Sequence, residues 1–397
     1  MLELKFKSRA PQDFMKEEAS QRGCARPDGN VDHNTVTESC CSGTREKVPE
    51  WVSETIASPT GLIFRVSPEL SRADLWEHIK CRMSAFRNGY AVNPGLYAVG
   101  NPDKDSDVLV SANYKFSFDM LRRELKGLNV WILVLDTKGI NVWCAAGKGT
   151  FGTDELVNRI SVTQLEKLVA HKRVIVPQLG APGVSAHKVK KATRFRVYYG
   201  PVRAADIGAY ITAGYKATKK MRTVMFPLID RLVLTPMEIN PAMKKYYPLY
   251  ALLILCIFGL SPSGISFRDA FTGGLPFLLL GLVAVLSGAL LTPMILPYVP
   301  FRSFAVKGWI VGMLSVLLSL TLIAPLNQRN TILLVFTYLF FPLLSSYIAL
   351  QFTGSTTFTG MSGVKKELRI AIPAYLFSGA VSLVLLSVFK LAQWGLL

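Results

Sequence analysis

Asn129-Val-Trp-Ile-Leu-Val-Leu-Asp-Thr-Lys-Gly-Ile-Asn-Val-Trp-Cys-Ala-Ala-Gly-Lys148 carries two elements in twenty residues. Asn129–Asp136 is an almost unbroken apolar run, the mark of a strand covered on both faces of its sheet. Thr137–Asn141 supplies turn residues, and Asn141 is a natural N-cap for a short helix that Gly147 and Gly149 end. Cys144 thus stands where a strand hands over to a helix. Free N–H groups at a helix start favour a thiolate, the form in which sulfur attacks or binds metal. Val142, Trp143, Ala145 and Ala146 around it equally suit a buried thiol, so position alone leaves packing residue, nucleophile and metal ligand open.

Working outward, strands and helices alternate. Asp107–Ser111 reads as a strand, Ala112–Phe116 as a loop, and Ser117–Lys126 as a helix capped by Ser117. Thr153 caps a helix from Asp154 to Arg159 or beyond, and Val162–Ala170 reads as another. Lys172–Pro177 and Arg194–Tyr199 complete four strands. Upstream, a helix over 68–87 lines Leu75, Trp76, Ile79, Met83 and Phe86 along one core-facing stripe. His78 and Cys81 fall on the opposite, solvated face.

This alternation predicts a doubly wound, Rossmann-like α/β domain, in which ligands sit beyond the carboxyl ends of the strands. The loops 111–117, 136–149 and 178–184 therefore converge. Ser111, Asn113 and Ser117 offer hydrogen-bonding groups, and Gly180, Ala181 and Gly183 allow close backbone approach. None of the loops is G-x-G-x-x-G or G-x-x-x-x-G-K-[ST], which argues against a dinucleotide or a hydrolysed nucleotide.

The rest of the chain is of another kind. After Lys245 ten charged residues bound charge-free runs at 246–267, 270–301, 308–328, 330–364 and 370–389, each of bilayer-spanning length. Five transmembrane helices are expected over 246–397, behind a disordered tail (1–50), the α/β domain (51–235) and a basic linker (236–245). The net charge of +18 divides into +12 before residue 246 (37 Lys and Arg, 25 Asp and Glu) and +6 after it (8 and 2). The basic residues crowd the approach to the first span: Lys216, Lys219, Lys220, Arg222, Arg231, Lys244 and Lys245. That pattern reads as membrane orientation and not as nucleic-acid binding. The α/β domain is then cytoplasmic and the C-terminus outside. No signal peptide is visible in Met1–Met15. Cys24, Cys40, Cys41, Cys81, Cys144 and Cys256 contain no C-x-x-C, so any electrons must come from a partner. Cys24, Cys40 and Cys41 lie in the polar tail and Cys256 in a span, where it reads as a packing residue.

Asn141–Lys148 resembles the cap-helix motif of the HgcA family, the membrane-anchored corrinoid proteins of bacterial and archaeal mercury methylation. Val108–Asp119 (VLVSANYKFSFD) and Tyr199–Ile207 (YGPVRAADI) are similar to the corrinoid domain shared by that family and the large subunit of the corrinoid iron–sulfur protein. The resemblance implies a cobalt-containing corrinoid with Cys144 as axial ligand. Asn141 would hold the cap helix, Val142, Trp143, Ala145, Ala146 and Gly147 would shape it, and Lys148 would meet a corrinoid amide. Ser111 and Ser117 stand where threonine is expected in relatives. The D-x-H-x-x-G motif of many cobalamin enzymes is absent, and His33, His78, His171 and His187 have no ligating context.

The resemblance further implies methyl transfer to Hg(II). The methyl would leave a thiolate-bound cobalt as a carbanion equivalent, with electrons from an HgcB-type ferredoxin carrying two [4Fe–4S] clusters and methyl from a methylated pterin. The alternatives are a membrane-bound corrinoid methyl carrier of one-carbon and acetyl-CoA metabolism, and a transporter with a regulatory domain.

Overall fold

The computed structural model describes residues 49–322, 330–356, 358 and 361–397; the tail with Cys24, Cys40 and Cys41, and Arg329, lie outside these. The fold is a mixed α/β Rossmann-like domain followed by an all-helical domain with several membrane-spanning helices.

The sheet has seven strands: β1 (Val52–Ser58), β2 (Gly61–Val66), β3 (Gly95–Val99), β4 (Val108–Ala112), β5 (Val130–Leu135), β6 (Arg173–Val176) and β7 (Arg196–Tyr199), in spatial order β1-β2-β3-β5-β4-β6-β7. Strands β5, β4, β6 and β7 run parallel, as the alternation of strands and helices predicts. The apolar run at 130–135 is β5, buried throughout. Trp131, Leu133 and Leu135 enter one core and Val130, Ile132 and Val134 the other, so both faces are indeed covered.

Strands β1 to β3 are additions to the sequence expectation. β1 and β2 form a hairpin, and β3 pairs antiparallel with β5, making the sheet mixed. β1 mixes polar and apolar residues and β2 leaves Leu62 and Phe64 exposed, so neither is buried on both faces as a central strand is.

The helices are α1 (Arg72–Met83), α2 (Lys115–Glu124), α3 (Val142–Lys148), α4 (Thr153–Val162) and α5 (Ala186–Thr193). Helix boundaries differ from expectation: α1 covers Arg72–Met83 of the expected 68–87, and three others shift. α2 starts before Ser117, because Lys115 is drawn into the helix by its ion pair to Asp119 one turn on. The cap of α4 is Gly152, and Thr153 is the first helical residue. The helix expected over 162–170 is only a 3-10 turn at Leu165–Lys167, since Gln164 adopts a left-handed conformation, φ 48°.

The largest difference is in α1, which is turned over. Asp74, His78 and Cys81 are buried, whereas Leu75, Trp76, Ile79, Met83 and Phe86 are exposed. A buried ion network fixes this orientation. Lys115 Nζ donates to Asp74 Oδ1 (2.7 Å) and Asp119 Oδ2 (2.8 Å), while Arg122 donates to Asp74 Oδ2 (2.7 Å) and Asp119 Oδ1 (2.8 Å). His78 Nε2 lies 2.9 Å from Asp119 Oδ2. Burial alone would raise Asp74, but the hydrogen bonds and charges of Lys115 and Arg122 outweigh it and hold the carboxyl at about 2.

Among the described residues of the helical domain, four stretches are long and apolar enough to cross a membrane: Phe267–Ile295, Phe304–Leu322, Thr331–Gly354 and Ser362–Gln393. The first expected span, 246–267, holds a shorter helix, Tyr247–Gly259, which continues the helical turns Pro236–Pro241 and Ala242–Tyr246 without a break and ends at a small hairpin of Leu260–Ser261 with Gly264–Ile265. Small residues let the helices close. A Cβ on Gly288 would stand 2.5 Å from the Ser345 carbonyl oxygen, and one on Gly281 2.5 Å from the Tyr250 ring.

Candidate functional site

A cavity of about 940 Å³ opens at the carboxyl ends of β4, β6 and β7, near the top of the roughly 300–1,000 Å³ range of small-molecule sites. Ser111 at the end of β4, Ser117 on α2, and Asn141, Val142, Trp143 and Cys144 at the start of α3 all line it. Cys144 is a free, half-buried cysteine.

The loop that presents Cys144 is tied down from below. Asn113, itself buried, accepts through Oδ1 from Thr137 N (3.1 Å), Thr137 Oγ1 (2.8 Å) and Gly139 N (2.9 Å). Thr137 Oγ1 also lies 2.6 Å from the Ile140 carbonyl oxygen, so its single proton is shared between that oxygen and Asn113 Oδ1. Lys138 (φ 58°) and Gly139 (φ 69°) make a left-handed pair that turns the chain out of β5 towards α3. Asn141 then caps α3, and Gly149, at φ 83°, closes it. Asn113 thus orients the loop without lining the cavity itself.

Other residues expected at the site are placed elsewhere. Ala145 and Ala146 are buried in the core under the sheet edge, and Gly147 and Lys148 are exposed on α3 away from the cavity lining. The third loop reaches the cavity through Pro177 and Leu179. Its glycines pack inward instead. A Cβ on Gly180 would meet the Phe151 ring at 2.4 Å and one on Gly183 the Phe151 carbonyl oxygen at 2.0 Å; Ala181 does not line the cavity.

Two groups of lining residues escaped the sequence reading. Cys81 and Arg82 reach the cavity from α1, with the Arg82 guanidinium 4.9 Å from the centre of the Phe116 ring. Burial pushes the Cys81 thiol up, away from thiolate. The far wall comes from the segment leading to the membrane: Phe226, Ile229, Val233, Leu234 and Met237. Their three-and-four spacing is a helical signal, but the short helix Leu228–Leu232 is half apolar and half charged and says little by itself. Among the described residues, no group of three or more His, Cys, Asp and Glu could hold a bare metal ion.

Residues 79–211 match the CO dehydrogenase/acetyl-CoA synthase delta subunit family. The chain is 28% identical over 134 residues to the acetyl-CoA decarbonylase/synthase complex subunit gamma of Methanopyrus kandleri, covering 33% of this chain and 29% of that one. It is 32% identical over 116 residues to the gamma subunit of Methanocaldococcus jannaschii, covering 27% and 24%. It is 26% identical over 151 residues to the corrinoid/iron-sulfur protein large subunit of Moorella thermoacetica, covering 36% and 33%. The chain therefore spans about a third or less of these curated relatives.

The α/β domain is a corrinoid-protein type of Rossmann domain, related to these subunits. The expected corrinoid cofactor agrees with that relationship. The expected mercury chemistry does not. The relatives are acetyl-CoA decarbonylase/synthase and corrinoid/iron-sulfur subunits, so the likeness reaches that class of domain and is not specific to the HgcA family. Methyl transfer to Hg(II), the HgcB-type ferredoxin and the methylated pterin donor fall with it.

Proposed function

We propose that this chain is a membrane-anchored corrinoid methyl carrier of one-carbon and acetyl-CoA metabolism. Its partners would be components of acetyl-CoA decarbonylase/synthase type assemblies. The observation that carries this is the placement of Cys144, Asn141 and Ser111 on one cavity at the carboxyl ends of parallel strands, within a domain related to corrinoid-complex subunits.

The donor set fits a corrinoid. The macrocycle supplies the equatorial nitrogens of its cobalt, so a single protein ligand suffices; of the two thiols on the cavity, Cys81 is buried and held away from thiolate, which leaves Cys144 as that ligand. When bound, the group supplies a cobalt that accepts and releases a methyl cation.

The chain's own residues do the rest. Cys144, on the first turn of α3, would hold the cobalt, and Asn141 caps that turn through the Cys144 N–H. Ser111 and Ser117 offer hydroxyls to peripheral amides, and Val142, Trp143 and Leu179 give the ring an apolar bed. Asn113 holds the loop that carries Cys144.

The test is transfer. Anaerobically purified full chain, loaded with corrinoid and reduced, is methylated with [14C]methyl iodide and offered to an acetyl-CoA synthase with CO and coenzyme A. Labelled acetyl-CoA supports the reading. Protein without cobalt, or label that stays on the protein, ends it. Replacing Cys144 by Ala changes the visible spectrum of the loaded protein if the sulfur is a cobalt ligand, and an unchanged spectrum removes that role.

A further inference from the structure

An amphipathic helix normally buries its apolar stripe, and α1 does the reverse. Leu75 (51%), Trp76 (59%), Ile79 (47%) and Met83 (45%) are all substantially exposed on one face, and Phe86 continues the patch. The helix cannot roll to hide them, because Asp74 and His78 on its other face are held by Lys115, Arg122 and Asp119. An apolar stripe fixed outwards implies a surface that covers it.

The helix is attached at the place where the chain enters the membrane. Asn240 Nδ2 donates to the Met83 carbonyl oxygen at 2.7 Å, and Arg87 Nη1 lies 3.4 Å from Met237 Sδ. Asn240 belongs to the helical run that continues without interruption into the apolar segment Tyr247–Gly259. The six residues between Asn240 and Tyr247 set these two about 10 Å apart along the helix at 1.5 Å per residue. They include Lys244, Lys245 and Tyr246, with Lys245 Nζ 5.2 Å from the centre of the Tyr246 ring, the pairing found where helices cross the headgroup layer. On α1 the same chemistry recurs. Lys80 Nζ lies over the Trp76 ring, 5.9 Å from its centre, and over that of Phe86 at 5.8 Å, an ammonium on aromatic faces.

We infer that α1 is an interfacial helix whose outward stripe lies in the headgroup and upper acyl region of the bilayer, on the side where the α/β domain sits. The lipid surface continues the boundary already set by Lys244–Tyr246. A stripe of large apolar residues with a tryptophan and a flanking lysine has the composition of a helix that lies in the membrane plane. The inference is independent of what the cavity binds. Its consequence is a second attachment, besides the covalent one, between the α/β domain and the membrane.

The full chain in nanodiscs of phosphatidylcholine and phosphatidylglycerol tests this. The emission lost in Trp76→Phe isolates Trp76 from the other tryptophans, and Phe keeps the stripe apolar. With brominated acyl chains that component should fall by half or more, and aqueous iodide should not quench it. Ile79→Asp should restore at least half of the lost Trp76 emission, while Leu62→Asp, an exposed site on β2, should leave it unchanged. A Trp76 component open to iodide and indifferent to bromine places the stripe in water and overturns the inference. One shielded from both places protein on it and overturns it equally.

Discussion

The backbone N–H of Cys144 donates to Asn141 Oδ1 at 2.9 Å. One side chain therefore both ends the turn out of β5 and sets the first turn of the helix that presents the sulfur. Replacing Asn141 by Ala removes that cap. The expected loss is about 1 kcal/mol of stability, read as a lowered Tm. The visible spectrum of the corrinoid-loaded protein should broaden as well, because the sulfur loses its fixed position. An unaltered spectrum would separate the cap from the site.

Asn113 acts one layer further back. Asn113→Ala leaves the N–H groups of Thr137 and Gly139 without their acceptor, while the Thr137 hydroxyl keeps the Ile140 carbonyl. At about 1 kcal/mol for each bond lost, the loop 136–141 should loosen by roughly 2 kcal/mol. Corrinoid affinity, measured by equilibrium titration, should fall by about tenfold or more even though Asn113 does not line the cavity.

Gly183 separates packing from ligand approach. A methyl group there would stand 2.0 Å from the Phe151 carbonyl oxygen, which is backbone and cannot swing aside. Gly183→Ala should cost about 1–3 kcal/mol in thermal unfolding, with or without corrinoid. A variant of normal stability but weakened corrinoid binding would instead return this glycine to the ligand.

The ion network under α1 predicts an acid limit. The folded Asp74 carboxyl, at about 2, lies below its ordinary 3.8, so its contribution is complete above the ordinary value and is lost as the pH falls through about 2. The difference corresponds to about 2 kcal/mol. Asp119 shifts in the same direction: burial opposes it, but His78, Lys115 and Arg122 prevail. Tm should therefore drop steeply between pH 4 and 2. Arg122→Met leaves the two carboxylates with Lys115 and should cost about 3–5 kcal/mol at neutral pH.

What could be read from the sequence was local. The two-faced apolar strand at 130–135, the Asn141 cap and the Gly149 stop each depend on residues within a turn or two of one another, and each is found in the structure; of the five charge-free runs, four coincide with helices of spanning length among the described residues and the first holds only the shorter helix Tyr247–Gly259. Strands β1 and β2 were not legible, because their partly exposed faces leave no buried apolar run like that of β5.

Tertiary structure alone decided which way α1 faces. The hydrophobic stripe argued for burial, yet Asp74 finds Lys115 and Arg122, 41 and 48 residues away, and pairing those charges out of water fixes the polar face inwards. The cavity wall has the same origin. Ser111, Cys144, Leu179 and Met237 share one site only because parallel strands end together and the chain returns over them on its way to the membrane. Side-chain type and local pattern are properties of the sequence, whereas a pairing across forty residues or a wall built from four segments exists only once the chain has folded.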